Sequence, residues 1–209
     1  MTDPTRDRLM QAIGHTPSLT RQQLRRRVKL AYGLAIALMF GMFAAVGGTS
    51  HSAVRSPEMT ALITLGLVAF AALISGVTGR RTRSPLGQPS ALLASVLCST
   101  PLVLLGWLSW LQPSQVHAEI PAGFRCLALS IALGGVLLAA MSYARRASDP
   151  VHPGWLGGAL GVTSAAWAAT LVAAWCPLYD LPHTLLGHVA PALALAGAGA
   201  GLASRVLRL

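Results

Sequence analysis

Three cysteines and six histidines occur in the 209 residues, and four of them hold the most chemistry. Cys126 and Cys176 stand 50 positions apart, and His183 and His188 follow the second thiol closely, with Asp180 and Pro182 just before and Pro191 just after. Thiol and imidazole can take a soft metal, and two thiols can form a disulfide or react with an oxidant. Arg125 and a helix N-terminus would both favour thiolate at Cys126. Cys126, Cys176 and one His make a soft-metal set. The spacing alone does not specify four ligands at proper distances, and a lone Cys commonly serves as a small apolar residue. His183 would also be served by water at an interface. His188, one turn inside an apolar helix, needs a partner such as Asp180, Glu119, His117 or a thiol. Cys98, deep in an apolar run, is expected to pack.

These groups must be positioned by an unusually apolar chain. Hydrophobic residues make up 54% and charged residues 11% of it, less than half the charged share of soluble proteins, so a water-soluble domain could not cover its own surface. A hydrocarbon core takes roughly 20 apolar helical residues to cross. The apolar runs predict an all-α polytopic membrane protein of about six spans: 30–48, 59–79, 89–111, 122–143, 154–176 and 184–203. They lack the alternation of barrel strands. Residues 1–29 form a separate N-terminal segment, and 30–209 form the bundle. The polar start is not that of a cleavable signal peptide.

Orientation follows from the cations. Arg6, Arg8, Arg21, Arg25, Arg26, Arg27 and Lys29 precede the first span; Arg80, Arg81 and Arg83 follow the second; Arg145 and Arg146 follow the fourth; Arg205 and Arg208 follow the sixth. The opposite loops hold only Arg55 and Arg125. The positive-inside rule then puts both termini in the cytoplasm, and places Cys126 and Cys176 near the outer face. The net charge of +10 is accounted for by these clusters and by anionic lipid head groups, so direct nucleic-acid binding is not expected. Short loops with Pro or Gly predict antiparallel neighbours. Gly157 with Gly161 and Gly197 with Gly201 have the spacing that lets helices approach closely, although Gly and Ala are common in such helices anyway.

Before the first span, Leu9, Met10 and Ile13 share a face of a short helix, Gly14 and Pro17 break it, and Ser18 or Thr20 could cap a second helix through the Arg cluster. Such a hook can lie in a partner's groove or on anionic lipid. No H-E-x-x-H, G-x-S-G or C-x-x-C occurs, and the spans lack buried carboxylates, so neither catalysis nor pumping is expected.

Gly123-Phe124-Arg125-Cys126, followed by Cys176-Pro177, Asp180, Pro182 and His188, resembles the NrsF-type integral membrane anti-sigma factors, named for a negative regulator of sigma F. Asp7, Leu9 and Pro17 leading into Arg25 to Arg27 are also similar, and the resemblance runs over nearly the whole chain. It implies a regulator that holds an extracytoplasmic-function (ECF) sigma factor at the bacterial inner membrane and releases it on stress. Residues 1–29, with Asp7, Leu9, Met10, Ile13 and Pro17, would be the sigma contact. Cys126 and Cys176 would be the sensor pair, with a soft metal ion as one form of signal and no resident cofactor. One departure is Gly187, where the family commonly shows Trp before the His of the last span. Two other readings remain: a redox- or metal-responsive membrane protein acting through its own thiols, and a small transporter.

Overall fold

The computed structural model describes residues 20–48, 61, 65, 66, 68, 69, 71–73, 75, 76, 123–146, 150, 152–176, 178 and 181–207. Among them no strand occurs. The helices are α1 (Arg21–Ala45), α2 (Phe124–Ala144), α3 (Pro153–Trp175), the short α4 (Leu181–Thr184), a π-helical segment (Leu185–Val189) that continues it, and α5 (Ala190–Val206).

Among the described residues, four stretches are long and apolar enough to cross a membrane: Gln22–Ala45, Phe124–Ala144, Pro153–Trp175 and Pro182–Ala203. Six were expected. Of the second expected span, 59–79, the described positions between 61 and 76 are helical, and the third, 89–111, lies outside the described residues. α1 begins at Arg21, nine residues before the expected span boundary at Leu30, as the expected helix through the Arg cluster requires. Thr20 caps it with a reciprocal box: its Oγ1 accepts from the Gln23 N–H at 3.2 Å, and its own N–H donates to Gln23 Oε1 at 3.0 Å. Arg25, Arg26, Arg27 and Lys29 are therefore on the helix rather than on a tether to it. Cys176, expected in the last turn of its span, is instead the extended cap residue after α3.

α3 is apolar all round and is the centre of what is described: 83% of its most apolar stretch is buried, against 11% in α1. Its hydroxyls satisfy themselves on the preceding turn, Thr163 to Ala159 O at 2.8 Å, Ser164 to Leu160 O at 2.9 Å and Thr170 to Ala166 O at 2.8 Å. These three hydroxyls are thereby kept from seeking water in an apolar medium. Outside, Leu30, Leu34, Leu38, Phe40, Leu193 and Leu202 are exposed, as side chains facing acyl chains would be.

α5 packs closest on α3, and glycine is the reason. A Cβ on Gly157 would overlap the Gly199 carbonyl and Ala203 Cβ, and one on Gly161 would overlap the Leu195 carbonyl. Without dispersion partners lost to bulky side chains, the two backbones touch directly. The expected pair Gly157 and Gly161 is thus at the interface. Gly197 and Gly201, the other expected pair, face open space, and Gly199 between them makes the contact. Further out, Ser75 joins three segments: it accepts from Tyr32 Oη on α1 (2.8 Å) and from Trp167 Nε1 on α3 (2.9 Å), and donates to Ala71 O.

A groove lined by Arg27, Leu30, Leu34 and Leu38 of α1 and by Val136, Ala140, Tyr143 and Ala144 of α2 marks where these helices meet. The middle of α1, from Arg27 to Leu38, therefore lies on the C-terminal half of α2. Cys126, in the first turn of α2, is 18 residues from Ala144, about 27 Å at helical rise, so it and the Arg-rich start of α1 lie at opposite ends of the bundle. At the arginine end, Arg145 is buried, and desolvation lowers its pKa to about 10, which leaves it charged at neutral pH. Arg146 lies over the Tyr143 ring at 4.1 Å.

Candidate thiol and imidazole site

At the other end, three turns of chain converge. Cys126 comes from the first turn of α2, Cys176 caps α3, His183 lies on α4, and His188 lies on the π segment. One ligand atom from each of the four, a sulfur or an imidazole nitrogen, lies within 4.8 Å of all the others. Cys126, Cys176 and His183 are 2%, 2% and 3% exposed, so the cluster is closed to bulk water on most sides. Both cysteines are free thiols.

Local sequence explains the convergence. His183 and His188 are five residues apart, and on an α-helix they would point about 140° away from each other. A π turn, closed by i→i+5 bonds such as Ala190 N–H to Leu185 O, brings the fifth residue back towards the first. The rings accordingly stand 5.6 Å apart, tilted by 51°. Pro191 supplies a cause for the widened turn. It has no N–H for the carbonyl four residues back, that of Gly187, and its ring crowds that carbonyl. Ser130 Oγ of α2 donates to the Gly187 carbonyl at 3.3 Å.

Two glycines let α2 come in close. Gly123, its N-cap, has φ +100°, where other L residues are strained, and its missing side chain makes room for Gly187 N, Leu186 and the His183 carbonyl. Gly187 faces Cys126 so closely that a Cβ there would meet the Cys126 Cβ at 2.9 Å. The departure from Trp at this position thus has a packing reason in this chain.

Within the cluster, Cys176 Sγ and His183 Nε2 are hydrogen-bonded at 3.0 Å, and the Cys176 thiol donates to Leu178 O at 3.6 Å. Hydrogen bonding from Cys126, opposed by burial and helped by the two imidazoles, holds the Cys176 thiol below its ordinary pKa. The arrangement can bind a soft cation or present a reactive sulfur to an oxidant.

The two expected sensor thiols, Cys126 and Cys176, are therefore brought together, and both expected histidines join them. Asp180, the other expected polar partner, lies outside the described residues, as do Asp7, Leu9, Met10, Ile13 and Pro17 of the expected sigma contact, together with His117, Glu119 and Cys98. Sequence reasoning missed Ser130 and the π turn. Pro191, eight residues after His183, was the signal for the latter.

No curated protein and no solved structure matches the chain. Residues 14–209, nearly all of it, match the family described as NrsF, negative regulator of sigma F. Its all-helical build around apolar spans agrees with the resemblance carried by Gly123 to Cys126 and by Cys176 to His188, and the chain belongs to the NrsF family of negative regulators of a sigma factor.

Proposed function

We propose that this protein is a membrane-bound anti-sigma factor. It holds an ECF-type sigma factor at the cytoplasmic face of the bacterial inner membrane through residues 1–29, and releases it when a stress signal reaches Cys126 and Cys176. The observation that carries the reading is the separation of two unlike ends on one bundle. A capped helix carries Arg25, Arg26 and Arg27 at one end, and the thiol and imidazole cluster sits at the other, with the length of α2 from Cys126 to Ala144, about 27 Å, between the two ends. The family match supplies the sigma factor as partner class.

In this reading the protein is a regulator and not an enzyme, with lipid as its second partner and no direct contact with nucleic acid. The signal at the thiols changes how α2, α3 and the π turn pack, and that change biases whether the N-terminal segment can hold its partner. Such coupling needs two arrangements of the bundle with different affinity for sigma. Co-purification tests it: the full-length protein in isolated membranes should retain its sigma factor, and a variant lacking residues 1–19 should not. Retention of sigma by that truncated variant would refute the role of the segment.

A further inference from the structure

We infer that Cys126, Cys176, His183 and His188 form a four-coordinate site for a divalent d10 cation of the zinc class. Three observations carry it. Four good ligands for a borderline-soft ion converge, each within 4.8 Å of the rest, one from the start of α2 and three from residues 176–188. Across a tetrahedral zinc, sulfur and imidazole nitrogen stand about 3.5 Å apart and two sulfurs about 3.8 Å, so the ligand atoms need only small adjustments to enclose one ion. The 3.0 Å sulfur to nitrogen contact opens by about half an ångström on that scale.

Charge selects the class of ion. Binding releases the two thiol protons to solvent, and both histidines bind as neutral imidazoles. Two thiolates and a divalent cation then sum to zero, which suits a cluster whose cysteines are almost wholly buried in an apolar bundle. A monovalent cation would leave one uncompensated negative charge there.

The π segment is the third observation. It sets His183 and His188 on one side of the chain where an α-helix would part them, and the Ser130 bond to Gly187 O ties that turn to the helix bearing Cys126. Widened turns of this kind frequently mark functional sites. The site deepens the proposed sensing role of the two thiols and rests on it only for its regulatory meaning.

The test uses the full-length protein, purified reduced in detergent and titrated with Zn²⁺ against a chromogenic chelator, and separately with Co²⁺. One Zn²⁺ per chain is expected, and Co²⁺ should give tetrahedral d–d bands with thiolate charge-transfer absorption. Cys126→Ser and Cys176→Ser should each weaken Zn²⁺ at least a hundredfold, and His183→Ala and His188→Ala at least tenfold. His188→Cys should restore stoichiometry and add a third thiolate to the Co²⁺ spectrum, which a purely structural role for His188 would not do. Zn²⁺ bound equally well by the double Cys→Ser protein, or an octahedral Co²⁺ spectrum, would overturn the site. Zn²⁺ binding without change in sigma retention leaves the site standing and sinks its regulatory role. Sigma release with Cys-dependent signalling but no metal binding does the reverse.

Discussion

Gly187 and Cys126 face each other at a distance that admits no side chain on the glycine: a Cβ at 187 would come within 2.9 Å of the Cys126 Cβ. Such a separation is under that of real carbon contacts, and neither partner is the free end of a long chain. The start of α2 and the π turn are therefore held together by the absence of an atom. Gly187→Leu should push them apart, lowering stability by about 1–3 kcal/mol and loosening the thiol cluster. Thermal unfolding in detergent, followed by circular dichroism, and the rate of Cys126 alkylation should both report it, the first falling and the second rising.

The contact between α3 and α5 gives a sharper contrast. A side chain on Gly157 collides with backbone, the Gly199 carbonyl, which cannot swing aside, whereas Gly197 faces open space. Gly157→Leu should cost more than about 3 kcal/mol or prevent folding. Gly197→Ala should be neutral or stabilising by up to about 1 kcal/mol, because alanine is the better helix former. Parallel unfolding curves in one detergent decide between them.

Ser75 carries the polar link between α1, the helical positions around 71–76 and α3. Its removal in Ser75→Ala deprives Tyr32 Oη and Trp167 Nε1 of their shared acceptor. A loss of about 1–2 kcal/mol is expected, with a change in Trp167 fluorescence, while the cluster at the far end keeps its thiol reactivity. Altered Cys126 and Cys176 alkylation in this variant would show that the two regions are coupled.

Hydropathy and charge patterning place the fourth, fifth and sixth spans within a few residues, because apolar length is the property that lipid demands. The first span was bounded at Leu30, since a hydropathy window stops at arginine, while the helix through the Arg cluster was legible separately, from Thr20 as its cap. The cap at Thr20 and the unbroken i→i−4 ladder carry it through Arg25 to Arg27. Choosing between Gly157 with Gly161 and Gly197 with Gly201 required knowing which faces meet, and spacing is identical in both. The site divided in the same way. Cys126 and Cys176 were legible as a pair because both fall at helix ends on the same side of an up-and-down bundle. The joint use of His183 and His188 was not, because five residues is the wrong interval for one face of an α-helix, and only the π turn before Pro191 makes it right.

The proposed cytoplasmic N-terminus predicts a protection pattern. A protease-cleavable tag added before Met1 should resist protease in intact spheroplasts and be cut once they are lysed. Cleavage in intact spheroplasts would place the Arg-rich start of α1 outside and remove the proposed sigma contact from the cytoplasm.

The central claim is that a thiol cluster at one end of the bundle governs a sigma factor held at the other. Membranes from cells making the full-length protein with its sigma factor, exposed to excess Zn²⁺ or to a thiol oxidant, measure it most directly when membrane-bound sigma is quantified. Wild type should retain sigma in the resting state and lose most of it on exposure, and Cys126→Ser/Cys176→Ser protein should not change its retention. Equal release from both proteins, or no sigma on the wild-type membranes at rest, would contradict the account.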